Sequence, residues 1–414
     1  MFSRRDFVKG GVALVSIGTG ANSLLKGAVA FAAQNPQYVA PNGSKKTLIL
    51  VQMAGGNDGL NTVAPVSNGT YRSLRKTIGV KEAEGLPLTN GFALHPNLTG
   101  LKGLWDGGKL GIVQGVGYPE QNYSHFKSMA IWQAGDPKQA LADGWLGRSL
   151  EKLESETHDP FLGFNIGSST PPEMRGTVPV PSVQNPADYN FKLAGQVAPV
   201  NDPRTATLMK LYEQYPAQSP YGALLETTVD SAVSSAKQLA EASTVYKPAV
   251  AYPQTSFGSG LSLLSEAVVA NLGMRVGHIT LGGFDTHNNE PTEHAELMQT
   301  LDQGLTAFYQ DLEAQGKADD VLVLTWSEFG RRVEQNGNDG TDHGSASVCF
   351  ALGKQVQGGL YGEIPSLDKL IDKGNLQYTT DFRSVYATII ERWLGIPSEP
   401  LLGAKWDQIG FLAA

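Results

Sequence analysis

An α/β fold built on a largely parallel sheet is what this 414-residue sequence predicts, on three observations. Short apolar runs at 45–53, 110–116, 276–281 and from Val321 onward read as buried strands. Stretches with helical spacing separate them, and strand, helix and strand in that order indicate parallel pairing. Acids and imidazoles gather just after the strands, where α/β sheets bind ligands outside their carboxyl ends.

The length fits one large α/β domain or two smaller ones. A net charge of −8 argues against a nucleic-acid partner. The segment Ser3-Arg4-Arg5-Asp6-Phe7-Val8-Lys9 resembles a twin-arginine export signal, and a weakly apolar, Gly-rich run and a small-residue site follow it. Residues 1–32 are therefore read as a signal peptide, handled by the twin-arginine export machinery. The mature protein is expected in the periplasm or outside the cell, with no stable membrane span after processing. Cys349 is the only cysteine, so no internal disulfide can form, and its apolar setting suits a buried thiol.

The first strand of the mature domain, 45–53, turns at the Gly-rich 54–59. Residues 66–94 are rich in loop formers. A helix over 97–109 presents Leu98, Leu101, Leu104 and Trp105 on one side, and the strand 110–116 follows. The loop 118–126 opens into a helix over 126–134. From 140 to 258 the texture turns Pro-rich and irregular, then helical from 203 to about 242, as in an inserted capping segment. A helix at 261–271 precedes the strand 276–281, within which His278 reads as a core residue. The amphipathic stretch 291–315 places Leu297, Leu301, Leu305, Phe308 and Leu312 toward the core. A last helix over 380–394 ends at Gly395 and Pro397. Residues 45–414 thus make one domain, with 140–258 as its cap or insertion.

Five short segments carry groups that can bind a cation, namely 55–59, 122–125, 284–287, 327–331 and 341–344. An Asp in a Gly-rich turn or a Ser before a helix has ordinary structural uses. Five such segments at successive strand ends of one sheet point to a metal centre. Among the imidazoles, His287, His294 and His343 follow the late strands, and His287 and His343 stand close to Asp285 and Asp342. A carboxylate near a metal-bound imidazole serves as co-ligand or orienting partner.

The order of Gly-Gly-Asn-Asp-Gly-Leu-Asn-Thr-Val at 55–63, Ser-His-Phe at 124–126, Gly-Phe-Asp-Thr-His at 283–287, Ser-Glu-Phe-Gly-Arg at 327–331, Asp-His-Gly at 342–344 and Thr-Asp-Phe-Arg-Ser-Val-Tyr-Ala at 380–387 closely resembles the bacterial family of domain of unknown function 1501. That family is in turn distantly similar to the alkaline phosphatase and sulfatase superfamily. The resemblance implies a three-layer αβα sandwich around a largely parallel sheet, with one or two divalent metal ions at the strand ends. It implies Asp58 as ligand of one metal and Ser124 as nucleophile at a helix start. Asp285 and His287 would bind the other metal, with His294 replacing or supplementing His287. Glu328 would take the part of an acid ligand, but Phe329 stands where the superfamily often has histidine. His343 would be the closing imidazole, and Asp342 a ligand or its orienting partner. Asn57 or Arg331 would hold non-bridging ester oxygens. His125 is expected to face elsewhere. Imidazole with carboxylate favours zinc or manganese, whereas carboxylate dominance would suit magnesium or calcium.

The reaction implied is metal-assisted hydrolysis of a phosphate or sulfate ester, on a small molecule or a polymer. No Walker loop, Gly-x-Ser-x-Gly elbow or dinucleotide fingerprint supports another enzyme class. The rival reading is a non-catalytic exported binding or accessory protein that keeps the fold and a structural metal.

Overall fold

The structure is a computed structural model that describes residues 46–138, 143–154, 159–184, 241–372 and 374–413, with scattered positions between 138 and 241. The expected signal peptide over 1–32 and most of the expected helical region from 203 to 242 lie outside the described residues.

Eight strands form the central sheet: β1 (Thr47–Ala54), β2 (Leu110–Gly117), β3 (Gly163–Ile166), β4 (Val276–Gly282), β5 (Val321–Trp326), β6 (Ser347–Leu352), β7 (Gly359–Tyr361) and β8 (Thr380–Asp381). Their order is β7-β2-β6-β5-β1-β4-β3, with β8 also paired to β2. All of these pairings are parallel except those of β6, which runs antiparallel to both β5 and β2. No helix connects β5 to β6, so the chain returns through the 327–346 loop and reverses direction. The expected parallel sheet thus holds apart from this one strand.

Alternation along β1 builds the layers. Ile49, Val51 and Met53 face the cluster that receives α1 (Thr99–Asp106), α4 (Ser256–Val269) and α5 (Glu290–Ala314). Leu48 and Leu50 face the opposite cluster, with α2 (His125–Ala134), α3 (Trp145–Leu153) and α6 (Phe382–Thr388). Both faces of β1 are therefore covered, as a continuous apolar strand requires, and the result is a three-layer αβα sandwich. Within the layers Leu301, Leu305, Phe308 and Leu312 are buried, with Leu297 packed at the margin. His278 is a core residue, with Nδ1 2.8 Å from Asn165 Oδ1 and Nε2 2.9 Å from Glu173 Oε1. Cys349 is buried in β6, and desolvation pushes its thiol up to about 12. The helix expected over 380–394 starts two residues later, at Phe382, widens into a π-helical turn over Ile389–Leu394 and stops as expected at Gly395, whose φ of 74° is left-handed.

Register decides where chemistry can gather. Ala54 pairs with Gly282 and Gln52 with Trp326, so β4, β1 and β5 end side by side. The loops after them start next to one another. Gly55 and Gly56 adopt φ of 123° and 78°, and a Cβ at Gly55 would lie 2.5 Å from Asp285 N. Only glycine allows this approach.

Leu50→Ala should lower unfolding stability by about 2–5 kcal/mol, because Leu50 is fully buried in the central strand. An unchanged urea midpoint at unchanged slope would contradict the layer assignment.

Candidate functional site

The side chain that joins the three strand-end loops is Arg331, which is fully buried after β5. Its Nε donates to Gly56 O at 2.7 Å, Nη1 to Thr341 O at 2.9 Å and Nη2 to Phe284 O at 3.0 Å. Nη2 also bonds Gly55 O and reaches Asp285 Oδ1 at 2.7 Å. The expected role of Arg331 as a holder of substrate oxygens is therefore corrected. Its guanidinium is occupied by four backbone carbonyls and one carboxylate.

Asp285 is half-exposed above that guanidinium. Desolvation works against its charge, but Arg331, His343 and His125 outweigh burial and lower its pKa to about 2. Three imidazoles surround it. His343 Nε2 lies 3.2 Å and His287 Nε2 3.1 Å from Oδ1, and His125 Nε2 lies 3.4 Å from Oδ2.

Each inner imidazole has its orientation fixed from behind. His343 Nδ1 donates to Tyr123 O at 2.8 Å, which turns Nε2 toward Asp285. His125 Nδ1 lies 2.7 Å from Glu328 Oε1, which also accepts from Gly55 N at 2.9 Å, while Glu328 Oε2 accepts from Ser327 Oγ at 3.2 Å. Glu328 is thus a fully buried partner of His125 and does not reach into the cluster as the expected ligand. The hydrogen bond to Glu328 raises the His125 pKa against desolvation, whereas burial lowers that of His343. His125 Nε2 is buried and has no hydrogen-bond partner among the described residues. One ligand atom each from His125, Asp285 and His343 lie within 4.8 Å of one another. Inward-facing lone pairs at that separation fit a metal ion, and the carboxylate–imidazole support behind them is the usual arrangement around one.

Phe329 is the floor of the cluster. Its ring centroid is 4.9 Å from that of His125 and 4.8 Å from that of His343. A Cβ on Gly56 would come within 2.4 Å of the Phe329 ring, so glycine and phenylalanine at these positions require each other. His287 is half-exposed, with Nε2 3.0 Å from His343 Nε2. Asp342 stands at the rim, 3.6 Å from His287 Nδ1 and 3.8 Å from Arg332 Nη1.

Asp58, Asn57 and His294 belong to a second, dry cluster. Asp58 is fully buried, forms an ion pair with Arg75 and accepts from Leu60 N at 3.1 Å. Burial opposes its charge, but Arg75 holds the carboxyl well below the usual range. Burial and the neighbouring Asp58 charge push the Glu290 carboxyl upward. Its Oε1 accepts from Asn61 Nδ2 at 2.9 Å and its Oε2 from Thr341 Oγ1 at 2.6 Å. His294 Nε2 is 3.2 Å from Asn57 Oδ1, and burial followed by His95 lowers its pKa to about 3. Among the described residues His125, Asp285 and His343 are the only group suited to a metal. Asp58 and His294, expected as ligands, lie outside this group, with Asp58 paired to Arg75 and His294 Nε2 close to Asn57 Oδ1. Asn57 is wholly buried too, with Oδ1 also accepting from Thr62 Oγ1 at 3.0 Å, while its Nδ2 has no hydrogen-bond partner among the described residues.

Ser124 precedes α2 as its N-cap, and its side chain makes no capping hydrogen bond. His125, expected to face elsewhere, is the residue that sequence reasoning missed. The strand-end rule had singled out its segment, 122–125, but with Ser124 rather than His125 as the group that matters, although His125 opens the helix after β2.

No curated protein matches the chain. Solved structures similar to it include the sulfatase PsFucS1 from Pseudoalteromonas sp., at 12% identity and TM-score 0.40, covering 95% of this chain and 77% of that one. The lipoteichoic acid synthase LtaP from Listeria monocytogenes matches at 10% identity and TM-score 0.32, over 98% and 80% of the two chains. The phosphonate monoester hydrolase of Agrobacterium radiobacter matches at 12% identity and TM-score 0.34, over 87% and 79%. A family model described as protein of unknown function DUF1501 matches residues 110–402, a span that contains His125, Asp285 and His343, and the chain belongs to that family.

Proposed function

We propose that this protein is an exported, metal-dependent hydrolase of phosphate or sulfate esters, with one divalent ion held by His125, Asp285 and His343. The observation that carries the reading is the buried, unpartnered His125 Nε2 facing Asp285 beside the similarly oriented His343. Two imidazoles and a carboxylate favour zinc or manganese over magnesium or calcium. When bound, such an ion supplies Lewis-acid polarisation of an ester oxygen and lowers the pKa of a nearby hydroxyl.

The chain's own residues supply the rest. Glu328 and Tyr123 O hold the two imidazoles in the tautomers that keep Nε2 inward. Arg331 keeps Asp285 ionised. Ser124 has a hydroxyl free of capping duty at the start of α2, where unpaired helix N–H groups favour an alkoxide and a bound anion. Its Oγ would give its proton to solvent and form the bond to phosphorus or sulfur as the bond to the ester alcohol breaks, and water would then attack the same atom, restoring the Ser124 hydroxyl and releasing phosphate or sulfate. His287, half-exposed beside His343, can pass a proton to the departing alkoxide. Closure of Asp58 by Arg75 supports a single metal rather than two. That same closure is what favours the rival reading, a non-catalytic periplasmic binding or accessory protein with a structural metal.

Purified mature protein loaded with zinc or manganese should retain about one ion per chain, and His125→Ala, Asp285→Asn and His343→Ala should each lose it by elemental analysis. His294→Ala and Asp58→Asn should keep it. Full stoichiometry in the first three variants would sink the site.

Glu328→Gln should weaken metal affinity about 10–100-fold, since it removes the carboxylate behind His125. A chelator titration that finds wild-type affinity would reject this orienting role.

Ser124→Ala should abolish turnover of aryl phosphate or aryl sulfate esters while leaving bound metal unchanged. A metal-loaded wild type inert toward phosphate mono- and diesters and sulfate esters would instead select the accessory reading.

A further inference from the structure

Tyr118 follows β2 directly and is 1% exposed, with its ring centroid 6.0 Å from that of Phe382 in α6. Core packing accounts for the ring but not for the hydroxyl, on which three other residues converge. Gln121 Nε2 and Asn122 N donate to its oxygen at 3.0 and 3.1 Å, and Ser128 Oγ lies 2.8 Å away. Ser128 Oγ also donates to Glu328 O, which uses its single proton. The Tyr118 hydroxyl is therefore the donor to Ser128. Burial raises the pKa of the phenol, so that proton is kept.

Each of these contacts ends one step from the metal cluster. Ser128 follows His125 by three residues in α2, so the two side chains share a face of the helix. Both grip Glu328, His125 through the carboxylate at 2.7 Å and Ser128 through the carbonyl. Asn122 precedes Tyr123, whose carbonyl holds His343 Nδ1. The Asn122 side chain also accepts from Ser124 N at 2.9 Å. Between Tyr118 and Asn122 the backbone of Glu120 is left-handed, with φ of 56°. A non-glycine residue keeps that conformation only where surrounding bonds enforce it.

We propose that Tyr118 is a positioning residue of the metal centre. Through Ser128 it sets His125 against Glu328, and through Asn122 it sets Tyr123 O against His343, although it contributes no atom to the ligand set. The inference rests on the reading of His125, Asp285 and His343 as metal ligands.

Tyr118→Phe removes the hydroxyl and leaves the ring, and zinc affinity of the full mature chain by chelator competition tests its effect. Tyr118→Phe and Ser128→Ala should each weaken zinc about tenfold, the low end for groups that orient metal-bound imidazoles. The double variant should fall well short of the product of the two losses, because both break one chain of bonds. Tyr246→Phe removes another buried hydroxyl, one bonded to Asp311, and should keep wild-type zinc affinity. In metal-free protein the His125 Nδ1 proton, held by Glu328, should exchange with water faster in Tyr118→Phe than in wild type, as read by NMR. Ser128→Ala carries both measurements if Tyr118→Phe does not fold. Unchanged zinc affinity or unchanged exchange, fully additive losses in the double variant, or an equal loss in Tyr246→Phe would overturn the proposal. A wild-type protein that retains no zinc would end the metal reading, and the exchange measurement would still decide the role of Tyr118.

Discussion

The Arg331 guanidinium is buried among carbonyls of three strand-end loops, and a cation placed there must be matched by acceptors in every direction it points. Those acceptors are Gly55, Gly56, Phe284 and Thr341, so one side chain sets the separation of the loops after β1, β4 and β5. The Asp285 carboxylate completes the shell and is kept ionised in return. Removing Arg331 would leave the carbonyls of Gly55, Gly56 and Thr341 without this donor and Asp285 without its main counter-charge.

The two charged clusters divide the polar end of the sheet by hydration. Around Asp285 the carboxylate and His287 remain half-exposed, and the donor atoms converge on a shared space. Around Asp58 the groups are buried, and Arg75, Asn61, Thr341 and Thr62 bond Asp58, Glu290 and the Asn57 carbonyl from within the protein. Arg75 occupies the electrostatic role that a second cation would have beside Asp58. A buried ion pair of this kind is expensive to break, because either partner alone would be an uncompensated charge.

Strand runs, their helical separators and the parallel order were readable because apolar periodicity records burial, and both faces of β1 are buried. The strand-end rule also located the loops that meet. What it could not see was pairing across long separations. Arg75 lies in a loop-rich stretch with no periodic signal, so nothing near Asp58 announced that its charge was already matched. Glu328 and Arg331 were recognised as site residues, but whether they face inward or hold a neighbour depends on the register of β5 against β1. His125 was set aside because adjacency to Ser124 was taken to separate their directions. At the first residue of a helix, however, an extended cap lets the next side chain turn toward the sheet edge.

The position of β1 in the sheet has a temporal side. Emerging first among the described strands, it pairs on one side with 276–282 and on the other with 321–326, segments made more than two hundred residues later. Until both exist, its two edges and both apolar faces lack their native cover, and such strands invite mispairing. Completion of the sheet therefore waits on nearly the whole chain. The loops that carry His125, Asp285 and His343 follow β2, β4 and β5 and come together only at that last stage, so this cluster can form only in an almost fully synthesised molecule.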